Sequence, residues 1–217
     1  NVAASMSGCA GQRCMAASAM IGVGNVDSII DKICEEAKKI IPGIYLGAVI
    51  NKESQQRIEK YITEAENDGA KILVDGRNTK VEGKENGYYV GPTVIDFVTP
   101  RMSVATEEIF GPVISIMRTN TVDEALAIEN ANPYGNAASV FTQNGAAARY
   151  IIDHASAGMI GVNVGVPVPR EPFSFGGWNE SKFGVGDITG KSSIEFWTKL
   201  KKSTTKWNPE AGVNWMS

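Results

Sequence analysis

Metal-binding and imidazole chemistry have little to work with in this sequence. Among 217 residues there is one histidine, His154, and three cysteines, Cys9, Cys14 and Cys34. With no C-x-x-C pair and a single imidazole, no metal site can be argued. A cysteine hydrolase would need a Cys–His pair. His154 instead falls at the end of a helical pattern, where a cation suits the helix dipole. Three cysteines are also too few and too odd in number for a disulfide framework, and they read as reduced thiols of a cytoplasm-like compartment. Long apolar runs are missing, since none approaches the roughly 18–20 residues of a membrane span. A basic excess is missing as well. Lys and Arg number 21 against 24 Asp and Glu, for a net charge of -3. That balance argues against a nucleic-acid partner. The one dense basic cluster, Lys199, Lys201 and Lys202, reads as a solvated strand edge. Finally, Asn1–Ser5 has neither an initiating Met nor a charged n-region, so it is not a signal peptide. We expect the chain to be a portion of a longer protein.

What remains is an ordinary globular composition, 43% hydrophobic and 21% charged. Apolar residues at helical spacing predict helices over about 26–41, 52–67, 121–130 and 144–154. Asn25 or Asp27 can cap the first, and Pro42-Gly43 stops it. Short apolar runs predict strands at 70–74, 113–117, 138–141 and 159–163, with a polar turn at 80–86. Strands alternating with helices predict an α/β fold with a mainly parallel sheet and helices on both faces. Residues 165–190 are rich in Gly, Pro, Phe and Ser and show no period. A loop of that length inside a compact domain is usually functional. Beyond it, 194–207 predicts a short helix and then an extended strand that projects from the body.

The sequence Gly11-Gln12-Arg13-Cys14 places a thiol after a glycine turn and beside a guanidinium. An electropositive neighbour favours the thiolate, which is the nucleophilic form. Alone this is a weak signal, because most cysteines are small buried hydrophobes. Three further segments strengthen it. Glu107-Glu108-Ile109-Phe110-Gly111-Pro112 leads directly into a strand. Asn132-Pro133-Tyr134-Gly135 precedes another. Pro172-Phe173-Ser174-Phe175-Gly176-Gly177-Trp178 leads to Ser181. The order and spacing of the four resemble the aldehyde dehydrogenase superfamily from about residue 8 to residue 202. The Gln12–Ala16 segment, the Gly161–Pro169 run and Ser174–Trp178 resemble its methylmalonate-semialdehyde dehydrogenase branch, which acylates coenzyme A.

The resemblance implies an NAD-dependent enzyme whose catalytic nucleophile is Cys14. Its thiolate attacks an aldehyde, a hydride passes to NAD, and the resulting thioester is handed to coenzyme A with loss of carbon dioxide. The backbone N–H of Cys14 helps hold the oxyanion. Arg13 binds the distal carboxylate of malonate or methylmalonate semialdehyde with its planar fork; a structural ion pair is its plainer use. Glu108 hydrogen-bonds the nicotinamide ribose, Phe110 flanks the nicotinamide, and Phe175 lines the substrate tunnel. Residues 1–190 form the catalytic domain, and 191–217 an arm for oligomerisation into a homodimer or homotetramer. The NAD-binding half, expected before residue 1, lies outside this chain, which by itself is expected to be inactive. In a eukaryote the compartment is the mitochondrial matrix. The chain departs from the family near Pro42, where the loop is shorter than usual. Two other readings stay open, a hydrolytic aldehyde dehydrogenase and an assembly module whose cysteine is idle.

Overall fold

The computed structural model describes residues 1–187 and 189–207. A short helix α1 (Val2–Ser7) runs into a 3₁₀ turn (Gly8–Gly11). Strand β1 (Ala19–Val23), helices α2 (Asp27–Lys38) and α3 (Lys52–Asn67) and strand β2 (Lys71–Val74) follow. Then come β3 (Thr93–Asp96), a one-turn helix α4 (Ser103–Thr106) and β4 (Val113–Thr119). The second half contains α5 (Val122–Ala131), β5 (Tyr134–Gly135), β6 (Ala137–Val140), α6 (Gly145–His154) and β7 (Met159–Val162). It closes with β8 (Trp178–Asn179) and α7 (Gly190–Trp197).

The main sheet has the order β1-β4-β3-β2. Strands β1 and β3 both run parallel to β4, and β2 pairs antiparallel with β3 at the edge. A smaller parallel pair joins β6 to β7, and a two-residue antiparallel pair joins β5 to β8. The fold is therefore α/β with a mainly parallel sheet, as the alternating pattern predicts.

Strand β4 explains why helices cover both faces. Its side chains alternate across the sheet with a period of two. Val113 and Met117 join the core made with Ile58, Ile62 and Ala65 of α3. Ile114 and Ile116 join the opposite core, made with Met6 of α1 and Ile30, Ile33 and Ala37 of α2. A strand buried on both sides reads as a nearly continuous apolar run, and Val113–Met117 is one but for Ser115, whose buried hydroxyl donates to the Val104 carbonyl. Local capping fixes the helix starts. Asn51 accepts the N–H of Ser54 at the head of α3, and Asn144 accepts those of Ala146 and Ala147 at the head of α6. Helix α5 opens on a reciprocal capping box between Thr121 and Glu124. The loop after α2 closes tightly, with the Gly43 N–H donating to the Leu46 carbonyl.

Residues 198–207, where the sequence predicts a projecting extended strand, pair with no strand among the described residues of this chain. Leu200 is 82% exposed and Trp207 89%. A strand needs a ladder partner for its N–H and C=O groups, and none of the described strands of this chain serves as one. The remainder of the expected arm, 208–217, lies outside the described residues.

Candidate active site

Cys14 is exposed and stands on a tight turn, in which the Ala16 N–H donates to the Arg13 carbonyl at 3.1 Å. The approach to that turn is strained. Cys9, Ala10 and Gly11 have φ of 54°, 55° and 71°. For Cys9 and Ala10 this left-handed backbone costs on the order of 1–2 kcal/mol each. Such strain persists only where the surroundings over-determine it, and here they do. The Gln12 amide reaches across to the loop before α3. Its Nε2 donates to the Ala48 carbonyl at 3.4 Å, and its Oε1 accepts the Ile50 N–H at 3.0 Å. Met15, next to the thiol, is buried.

The other segments singled out in the sequence meet this turn one after another. Gly11 lies against Gly111, so closely that a Cβ on Gly11 would collide with the Gly111 carbonyl. The carbonyl of Cys14 accepts a hydrogen bond from Asn136 Nδ2 at 2.7 Å. Asn136 in turn lies against Gly177, where an added Cβ would come within 3.2 Å of the Asn136 Cα and Oδ1. The β5–β8 pairing and a bond from the Gly135 N–H to Ser181 Oγ, 3.1 Å, tie the last two segments together. Four stretches far apart in sequence thus converge on one exposed thiol.

Arg13 makes no ion pair among the described residues. Its guanidinium folds over Gly8, where any side chain would clash, and its Nε is buried without a hydrogen-bond partner. A buried N–H donor with no acceptor is rare. A carboxylate can satisfy such a donor.

The Glu108–Pro112 turn is held by helix α3. Arg57 Nη1 donates to the carbonyls of Glu108 at 3.1 Å and Ile109 at 2.8 Å. Ile58, the next residue, packs under Gly111 and is fully buried. Held this way, Phe110 takes a left-handed backbone, φ 53°, and stays 40% exposed. For a bulky aromatic that conformation is an outlier. Glu108 is exposed, and its carboxylate pairs with no cation among the described residues. Phe175 is half-buried, and its N–H donates to Thr189 Oγ1 at 2.7 Å. It stands two residues before Gly177, and its run reaches the Cys14 carbonyl through Gly177 and Asn136. The Gly161–Pro169 run and Ser174 line an open cleft of about 350 Å³.

His154 takes no part. Its ring lies 4.1 Å from that of Tyr150, and its Nδ1 contacts the Tyr150 carbonyl at 2.7 Å, at the end of α6. No group of three or more potential metal ligands occurs among the described residues. Asn136 and Arg57 were not visible as site residues in the sequence. Asn136 directly follows the Asn-Pro-Tyr-Gly stretch, but its partner lies 122 positions away.

This fold is one that a whole family shares. The sequence matches the family model described as "Aldehyde dehydrogenase family" over residues 1–203, and the chain belongs to that family. Among curated relatives, it is similar to the acylating, mitochondrial methylmalonate-semialdehyde/malonate-semialdehyde dehydrogenases of Bos taurus and Homo sapiens. It is 45% identical to the bovine protein and 44% to the human one, covering 94% of this chain and 39% of each relative. The chain therefore spans about two fifths of their length. The crystal structure of methylmalonate-semialdehyde dehydrogenase from Oceanimonas doudoroffii superposes with a TM-score of 0.93 at 40% identity. The match covers 97% of this chain and 44% of that one. A structure from Sinorhizobium meliloti, complexed with NAD, has the same TM-score and identity, and covers 98% of this chain and 44% of that one.

Proposed function

We propose that this chain is the nucleophile-bearing portion of an NAD-dependent, coenzyme A-acylating malonate- or methylmalonate-semialdehyde dehydrogenase. The observation that carries the reading is the convergence on Cys14. The thiol is exposed, one residue after an arginine whose Nε is buried and unpaired, at the junction of the four segments.

In this reading the Cys14 thiolate adds to the aldehyde carbon and forms the C–S bond of a thiohemiacetal. The carbonyl oxygen becomes an oxyanion beside the Cys14 N–H, which stabilises it. Arg13 holds the substrate's distal carboxylate, and so selects semialdehydes that carry one. Bound NAD supplies the acceptor for the hydride that leaves the thiohemiacetal carbon. The oxyanion collapses to a carbonyl as that C–H bond breaks, leaving the acyl group as a thioester on Cys14. The β-carboxylate leaves as carbon dioxide, the thioester carbonyl taking up the electron pair as an enolate until the α-carbon is protonated from solvent, and the thiolate of coenzyme A displaces the Cys14 thiolate. Glu108 and Phe110 suit the cofactor's ribose and nicotinamide, since one presents an unpaired carboxylate and the other an exposed ring. Phe175 lines the way in.

Residues 1–190 are the catalytic domain in this proposal, and the following arm docks on a second copy. Exposed Ile194, Phe196, Trp197 and Leu200 support an arm that is covered in a homodimer or homotetramer. The compartment is the bacterial cytoplasm or, in a eukaryote, the mitochondrial matrix, in keeping with the names of the mammalian relatives.

The test uses the complete polypeptide that carries this chain, supplied with malonate semialdehyde, NAD and coenzyme A. Mass spectrometry of the product is expected to find an acyl-coenzyme A. Release of a free carboxylic acid instead identifies a hydrolytic enzyme and overturns the acylating assignment.

A further inference from the structure

We infer that Asn136 is a positioning residue for the Cys14 nucleophile, which it controls by locking one peptide plane; this rests on the reading of Cys14 given above. Cys14 is the second residue of the turn closed by the Ala16 N–H on the Arg13 carbonyl. In a four-residue turn that closing bond is compatible with two orientations of the central peptide, the second of which needs a positive φ at the third residue, here Met15. Types I and II differ by this rotation, which swings ψ of the second residue from about -30° to about +120°. In this turn the central peptide is Cys14–Met15, so its rotation changes the conformation of the nucleophile itself.

The Asn136 amide removes that freedom. Its Nδ2 donates to the Cys14 carbonyl at 2.7 Å. The peptide is trans and planar, so the Met15 N–H faces away from Asn136. Asn136 is itself confined. It sits on the chain between β5 and β6, and Gly177 leaves room for it, since a Cβ there would come within 3.2 Å of Asn136 Oδ1. Gln12 anchors the turn on its other side through Ala48 and Ile50, but it acts before the nucleophile and cannot fix the Cys14–Met15 plane. Without the Asn136 donor the flipped orientation gains population, opposed only by the left-handed backbone it demands of Met15. Apparent reactivity then scales with the competent fraction.

The test is site-resolved alkylation of this chain with iodoacetamide, read by peptide mass spectrometry. Cys9 is an exposed internal reference, and Cys34, half-buried on α2, reports unfolding. In the unaltered chain, Cys14 is expected to react faster than Cys9. Asn136→Leu keeps the side chain's approximate shape and removes the donor. Asn136→Asp keeps its shape more closely, and a carboxylate also repels the carbonyl. Loss of a single hydrogen bond shifts the balance between the two orientations about three- to tenfold, and the Cys14 rate drops with the competent fraction. We expect that drop in both variants, at Cys14 alone, with Cys9 and Cys34 unchanged. If Asn136→Leu raises Cys34 labelling, Asn136→Asp decides. An unchanged Cys14 rate in a variant whose Cys34 stays protected overturns the role of Asn136. Equal labelling of the three thiols in the unaltered chain overturns the nucleophile assignment instead.

Discussion

Gly11 and Gly111, a hundred positions apart, touch backbone to backbone. The Gly11 Cα lies so near the Gly111 carbonyl and the Pro112 nitrogen that no side chain fits between them. Gly11 also has φ of 71°, where a side chain is strained in any case. The contact joins the turn that carries Cys14 to the turn that carries Glu108 and Phe110. In the proposed mechanism these are the nucleophile and the cofactor contacts, and two glycines set their spacing.

Gly11→Ala is therefore expected to act on both stability and the site. Strain and the backbone clash together cost about 2–4 kcal/mol. Chemical denaturation should show that loss. Any chain that still folds should lose the preferential alkylation of Cys14. Retention of both the stability and the preference would mean that the two turns do not depend on this contact.

Arg57 supports the second turn from outside, with its two bonds to the carbonyls of Glu108 and Ile109. Arg57→Ala leaves those carbonyls to water and releases Phe110 from its left-handed backbone. In the complete polypeptide the expected result is a weaker KM for NAD, by about three- to tenfold, with kcat changed less. Arg57→Lys keeps one donor and should recover part of the loss. A fall in kcat with KM unmoved would place Arg57 elsewhere in the reaction.

The capping box of α5 offers a check on the fold that is independent of chemistry. Thr121 Oγ1 accepts the Glu124 N–H at 3.2 Å, and the Glu124 carboxylate accepts the Asn120 N–H at 2.7 Å and the Thr121 N–H at 3.2 Å. Thr121→Ala is expected to cost about 1 kcal/mol, read as a lower denaturation midpoint with unchanged thiol labelling.

Much of this molecule was legible before its structure. Helix α3 begins and ends where the Ile58, Ile62 and Ala65 spacing and Gly69 place it. Strands β4, β6 and β7 lie within a residue or two of the apolar runs. Strands β1 and β3 went unmarked for a physical reason. Strand β1 contains Gly22, and β3 begins with Thr93 and ends with Asp96, both buried polar residues. Their polar groups are satisfied by partners remote in sequence, such as Gly76 for Thr93 and Arg118 for Asp96. No periodicity reports such pairings. The site divides in the same way. Residues with a chemical signature, Cys14 beside Arg13 and Phe110 beside Glu108, stand out in a linear reading. The residues that hold them, Asn136 and Arg57, act only through the fold.

Asp96 and Arg118 supply the last expectation, a dependence of stability on pH. Asp96 is buried, and Arg118 reaches it with Nε at 3.0 Å and Nη2 at 2.8 Å. Burial by itself pushes the Asp96 carboxyl up. The Arg118 guanidinium and the Phe97 N–H outweigh burial and hold it below the ordinary carboxylate range. The sign follows from linkage. A carboxyl depressed by folding adds stability above its unfolded pKa of about 3.9, and that stability is lost as the pH falls through the folded value. Glu129 works the other way. Burial raises its pKa, so its ionisation weakens the fold near neutrality and acid relieves it. Asp96→Asn separates the two. It leaves Arg118 facing a neutral amide and should cost about 2–3 kcal/mol at neutral pH, since breaking a buried pair is costly and Arg118 is part-exposed. Urea midpoints followed downward from neutrality should fall more steeply for the unaltered chain than for Asp96→Asn, and the two curves should converge in acid. Parallel curves would show that the Asp96 carboxylate gains nothing from its partner on folding.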